Sequence, residues 1–134
     1  MKEKIGEVFS IAKENPAIPG CTISKEIYGG ENAITYFSLA SDTDISAEMY
    51  PYRRLLIVME GSLQVYGPDG YLQTLEVGDG IVTRVNTPIG VRTAEGSVFI
   101  EGSLRKESVM NQAIKAGEVF KLEDLIPYAE DRIV

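Results

Sequence analysis

The stretch Glu48-Met49-Tyr50-Pro51-Tyr52-Arg53-Arg54-Leu55-Leu56-Ile57-Val58-Met59-Glu60-Gly61 decides how the chain is read. Residues 55–59 are apolar on both faces of an extended strand, which predicts a strand with cover on each side. Gly61 closes the run. Beyond it, residues 62–66 alternate, with Leu63 and Val65 on one face. Gly67-Pro68-Asp69-Gly70 is a strong turn signal: proline presets φ, aspartate tolerates the bend and glycine accepts the left-handed position. Residues 71–77 follow as the partner strand, so residues 61–77 read as a hairpin.

The same punctuation extends outward. Residues 22–28 alternate Ile23 and Ile27 with polar neighbours, and Gly29-Gly30-Glu31-Asn32 turns the chain into a returning strand over residues 33–40. That strand carries aromatics on both faces, Tyr36 and Phe37, so its inward face stays unassigned. Downstream, Gly78-Asp79-Gly80 reads as a turn, followed by strands over residues 81–85, 91–93 and 97–104. Asp42, Asp44 and Glu48 are spaced too loosely for a calcium loop and read as an exposed acidic loop. Helical pattern is confined to short terminal segments, residues 8–15 and 122–128.

Composition bounds the class. At 134 residues the chain is long enough for one core, and 44% hydrophobic with 25% charged residues fits a globular domain. No apolar run approaches the roughly 20 residues of a membrane-spanning helix, and residues 1–7 are too polar to begin a secretory signal, so a cytoplasmic location is expected. A net charge of −7 repels phosphate backbones and argues against nucleic-acid partners. Walker and dinucleotide-binding sequences are absent. The chain has no histidine, which removes the commonest general base and any Ser-His or Cys-His pair. Its single cysteine, Cys21, cannot form an intrachain disulfide and reads as a free thiol of structural kind.

A short echo runs through the chain: Gly6-Glu7-Val8-Phe9 recurs as Gly117-Glu118-Val119-Phe120. Chance is one explanation. The other is that residues 117–134 begin a second, truncated copy of the domain formed by the whole chain, 1–134.

The run ending at Gly61, the Pro68-Asp69-Gly70 turn and the Gly78-Asp79 pair together resemble the two motifs of the cupin superfamily, over roughly residues 33–104. The resemblance implies an all-β fold, a cupin-type double-stranded β-helix or jelly-roll barrel, here with short terminal helices. In the family's first motif two histidines stand two apart, with a glutamate four residues after the second and a glycine seven further on. Aligned on Gly61, those positions hold Glu48, Tyr50 and Arg54. The histidine of the second motif falls on Ile89. Cupin centres use imidazole and carboxylate ligands to hold first-row transition metals. Here only Glu48 keeps a suitable donor, Ile89 offers none, and the guanidinium of Arg54 repels a cation. No metal and no other cofactor is therefore expected.

Glu48, Tyr50, Arg54 and Ile89 are the expected pocket residues, with Tyr52, Arg84 and Arg92 as secondary candidates. The simplest arrangement pairs Glu48 with Arg54 and plugs the site, since buried charges are paired. In the functional arrangement Arg54 clamps the acid group of a small anionic metabolite, while Tyr50 donates to that ligand and Glu48 accepts from it. Two alternatives remain open: a metal-independent isomerase- or epimerase-like reaction with Tyr50 as acid and Glu48 as base, and a non-catalytic structural half of a two-barrel protein. The doubly apolar strand and the resemblance both suggest a homodimer.

Overall fold

The structure is a computed structural model and describes residues 22–28, 33–104 and 115–121. The expected terminal helices, Cys21, the 29–32 turn and Gly6-Glu7-Val8-Phe9 lie outside those residues. Ten strands are present among the described residues, in chain order: β1 (Thr22–Tyr28), β2 (Ile34–Leu39), β3 (Thr43–Glu48), β4 (Arg53–Gly61), β5 (Leu63–Tyr66), β6 (Leu72–Leu75), β7 (Asp79–Val82), β8 (Ile89–Thr93), β9 (Ser97–Leu104) and β10 (Val119–Lys121). They form two antiparallel sheets, one of six strands in the order β1-β2-β9-β4-β7-β10 and one of four in the order β3-β8-β5-β6. No helix among the described residues is long and apolar enough to cross a membrane.

The core lies between the sheets. Leu39, Leu56, Val58, Ile81 and Phe99 of the larger sheet meet Leu63, Val65, Leu75, Ile89 and Val91 of the smaller one. Each such side chain contributes about 1.5–3 kcal/mol on burial, which fixes which face of each strand turns inward. On β2 the inward aromatic is Phe37, which stacks on Phe99, its register partner across β9, at 4.8 Å with ring planes 6° apart. Tyr36 points to the opposite face and is also buried.

The hairpin forms as expected from β5 and β6, closed by a short 3-10 turn at Pro68–Gly70 with Asp69 and Gly70 at positive φ. Gly61 ends β4 at φ +70°, where a Cβ would sit 2.1 Å from the Gly96 carbonyl oxygen. Only glycine fits there.

Three expectations are corrected. Residues 43–48 are a strand rather than a loop: β3 pairs with β8 through its backbone while Asp44 and Glu48 stay in solvent, so one half-buried apolar residue, Ile45, suffices. The turn at Gly78 is shorter than expected, because Asp79 already opens β7 and is buried. Its Oδ2 accepts the Glu76 amide at 2.9 Å and its Oδ1 accepts Lys121 Nζ at 2.9 Å. The strand expected over residues 81–85 ends at Val82: at Thr83 the side-chain Oγ1, in place of a backbone carbonyl, accepts the Arg54 amide.

Residues 117–121 pack into this barrel. Gly117 donates to the Val82 carbonyl at 2.7 Å, and β10 pairs with β7, with the Phe120 ring covering Gly80.

Candidate functional site

A cavity of about 210 Å³ opens between the two sheets at the end of β4 that begins with Arg53. Its apolar wall comes from Phe37, Leu56, Ile89, Val91 and Phe99, and its polar side chains are Ser46, Glu48, Tyr50, Arg54 and Glu101. Glu48, Tyr50 and Arg54, close together in sequence, and the distant Ile89 therefore line one space. Tyr52, Arg84 and Arg92 do not line it. Arg84 lies over the Tyr71 ring, and Arg92 bonds Gln64 and lies over the Tyr66 ring.

Backbone geometry holds Arg54 in place. Its amide donates to Thr83 Oγ1 at 3.1 Å, and its carbonyl accepts the Thr83 amide at 2.9 Å. The side chain shares a face with Leu56 because alternate strand residues point the same way. Arg54 does not pair with Glu48. Its Nη1 donates to Glu101 Oε1 at 3.1 Å, with the two side chains only 13% and 19% exposed. Register explains the partner: Ser103 lies opposite Arg54 and Glu101 opposite Leu56, so Glu101 is the diagonal neighbour on the same face. The guanidinium also lies 4.3 Å from the centre of the Tyr50 ring, a cation–π contact. Its Nε is buried and has no hydrogen-bond partner among the described residues.

Glu48 has a different role from the expected one. It accepts a hydrogen bond from the Tyr50 hydroxyl. That bond, with desolvation and the nearby carboxylate charges, pushes the Tyr50 phenol up to about 12 against the opposing pull of Arg54. The Tyr50 carbonyl accepts the Asn86 amide at 2.8 Å, which ties the two loops at the cavity mouth together.

Glu101 is the charged site residue that sequence reasoning missed. A signal existed: Phe99 and Glu101 are two apart on one strand, so a charge follows a core aromatic on the inward row. The register that brings it to Arg54 is not written in either strand alone.

These residues do not suit the transition metal that cupin barrels commonly hold. Glu48 is engaged by a phenol, Glu101 by a guanidinium, and Ile89 has no donor atom. Among the described residues no group of three or more His, Cys, Asp or Glu could hold an ion.

The opposite end of the larger sheet bears a wider, open hollow of about 390 Å³ lined by Glu60, Gly61, Glu95, Gly96 and neighbours, without a cationic side chain.

No family model and no curated protein matches the chain. Solved structures do match. A conserved protein of unknown function from Streptococcus pyogenes superposes with a TM-score of 0.68 at 17% identity, over 79% of this chain and 93% of that one. A cupin superfamily protein from Desulfitobacterium hafniense gives 0.67 at 16%, over 75% and 93%. The chain has the cupin fold. A cupin 2 conserved barrel domain protein from Leptotrichia buccalis gives 0.74 at 18% identity over 92% of this chain, which spans 54% of that larger cupin. At these identities the likeness carries the architecture alone, and the chemistry rests on the residues lining this cavity.

Proposed function

We propose that this protein is a metal-free cupin that binds a small anionic metabolite between its sheets, with Arg54 as the anchor. One observation carries the reading: a guanidinium faces the apolar wall of the cavity, held at its backbone by Thr83, beneath by the Tyr50 ring and on one edge by Glu101. Three supports fix its direction before any ligand arrives, and a preorganised planar donor suits a carboxylate or phosphate. Glu101 accepts from Nη1, and Nε has no hydrogen-bond partner among the described residues, so the guanidinium keeps a donor to spare. A cavity of about 210 Å³ falls below the roughly 300–1,000 Å³ of drug-sized sites, in keeping with a small metabolite.

The proton-transfer alternative draws less support. Tyr50, with its phenol raised to about 12, gives up its proton reluctantly, and Glu48 already accepts that proton's hydrogen bond. The homodimer belongs to the same proposal. On the outer face of β4, Leu55 and Ile57 are half-buried and Met59 is 52% exposed.

Thermal-shift screening with sugar acids, keto acids and phosphates tests the binding reading. Stabilisation by at least one class that disappears in Arg54→Ala is expected. Ligand responses left unchanged by Arg54→Ala would remove the anchor from the proposal.

A further inference from the structure

We infer that the ligand carries a hydrogen-bond donor beside its acid group, as an α-hydroxy or α-amino acid does, and that Glu101 imposes this requirement. The inference rests on the reading that Arg54 receives the acid, and it specifies what else the ligand must bring.

The charge count of the cavity gives the reason. Two carboxylates, Glu48 and Glu101, and one guanidinium line it, so its ionised side chains sum to a negative charge. Glu48 has the Tyr50 hydroxyl as a donor. Among the described residues Glu101 has Arg54 Nη1 as its one donor, through one oxygen, and its side chain is 19% exposed. A plain carboxylate that approaches Arg54 meets Glu101 on the same guanidinium. Either the two anions share one cation at close range, or Glu101 gives up its partner and is left largely desolvated. Neither outcome favours a simple acid.

A donor on the carbon next to the acid group changes this balance. It can bond to the second oxygen of Glu101 while the acid takes the free edge of Arg54, so no carboxylate is left facing another without a proton between them. An ammonium donor also supplies the positive charge that the cavity lacks. The apolar wall of Phe37, Leu56, Ile89, Val91 and Phe99 then takes a short hydrocarbon tail. Glu101 is thus a specificity-determining residue: it keeps the arginine from binding simple anions and admits acids that carry their own donor.

The test uses three probes of one skeleton: 4-methylpentanoate, its 2-hydroxy derivative and leucine. They differ only in the α substituent, which is hydrogen, hydroxyl or ammonium. Dissociation constants come from amide-shift titrations of isotope-labelled protein, for the wild type, Glu101→Gln and Arg54→Ala. In the wild type the plain acid should bind at least about tenfold more weakly than the better of the other two, the scale of one hydrogen bond to a charged group. In Glu101→Gln the plain acid should gain and leucine should lose, closing the gap. Arg54→Ala should weaken every probe that binds.

Plain acid binding as tightly as both substituted acids in the wild type overturns the role of Glu101 and leaves the anchor reading standing. If no probe gives an Arg54-dependent shift in the wild type or in Glu101→Gln, the anchor reading itself fails. The wild-type ranking decides the matter even if Glu101→Gln does not fold.

Discussion

Arg54 and Thr83 hold each other by two hydrogen bonds: the Arg54 amide donates to Thr83 Oγ1 at 3.1 Å, and the Thr83 amide donates to the Arg54 carbonyl at 2.9 Å. The second is a ladder-like backbone bond, but the first depends on a hydroxyl at a position where β7 has already ended. Thr83 is buried, so its side chain serves the strand that carries the anchor rather than solvent.

Thr83→Val keeps the shape and removes the acceptor. It leaves the Arg54 amide without that partner, which should cost about 1–3 kcal/mol in urea unfolding. Thr83→Ser keeps the hydroxyl and should recover most of the loss. If Thr83→Val unfolds at the wild-type midpoint while Thr83→Ser does not, the hydroxyl bond contributes little and the methyl packing accounts for the effect.

The Arg54–Glu101 pair is the second testable link. With side chains 13% and 19% exposed, it lies between a solvated surface pair and a fully buried one. A double-mutant cycle over Arg54→Ala and Glu101→Ala should give a coupling of about 1–2 kcal/mol, above the roughly 0.2–1 kcal/mol of exposed pairs. Either single variant strands a half-desolvated charge, so the double variant should be more stable than additivity allows. Additive losses would mean that the two charges are solvated independently.

Much of this architecture was legible in the chain, and the reasons are local. The Gly67-Pro68-Asp69-Gly70 turn and the alternation of Leu63 and Val65 gave β5 and β6, because turn chemistry and inward periodicity act over a few residues. The spacing from Glu48 to Gly61 brought Glu48, Tyr50 and Arg54 to one cavity, because the loop between β3 and β4 has a fixed length. What escaped depended on other strands. β3 has one inward apolar residue and exists because β8 offers it hydrogen bonds. Glu101 displaced Glu48 as the partner of Arg54 through the β4–β9 register, and Glu48 was drawn to Tyr50 instead. Charges within a few residues of each other look like partners in a sequence, whereas the sheet pairs residues 47 apart.

Gly61 offers a test of the fold-deciding motif, with Gly78 as its control. Both have positive φ, +70° and +86°, but a Cβ at Gly61 would strike the Gly96 carbonyl at 2.1 Å whereas at Gly78 it would meet nothing within 4 Å. Gly78→Ala should cost about 1–2 kcal/mol, the penalty of a left-handed backbone. Gly61→Ala adds a backbone collision and should cost at least about 1 kcal/mol more, read as the difference in urea unfolding free energy. Equal losses would show that the close approach to Gly96 relaxes without cost.

The Tyr50–Glu48 hydrogen bond makes a prediction about alkaline pH. The Tyr50 phenol is raised from 10.0 to about 12, first by donating to Glu48, then by desolvation and the carboxylate charge, with Arg54 opposing. A group held protonated in the folded protein stabilises it fully below the unfolded value, and that contribution fades as pH rises toward the folded one. Stability from this bond should therefore be constant up to about pH 10 and fall between about 10 and 12. Tyr36, Tyr66 and Tyr71 are raised as well, so total absorbance does not isolate the residue. Cζ-labelled tyrosine NMR does isolate it, with Tyr50→Phe assigning the signal. Glu48→Gln replaces the carboxylate with a neutral, weaker acceptor and should bring Tyr50 part of the way back toward 10, leaving the smaller rise from desolvation and the amide bond. A Tyr50 signal that titrates near 10 in the wild type, or that Glu48→Gln leaves in place, would mean that the hydroxyl bonds elsewhere in solution and that Glu48 is open to a ligand.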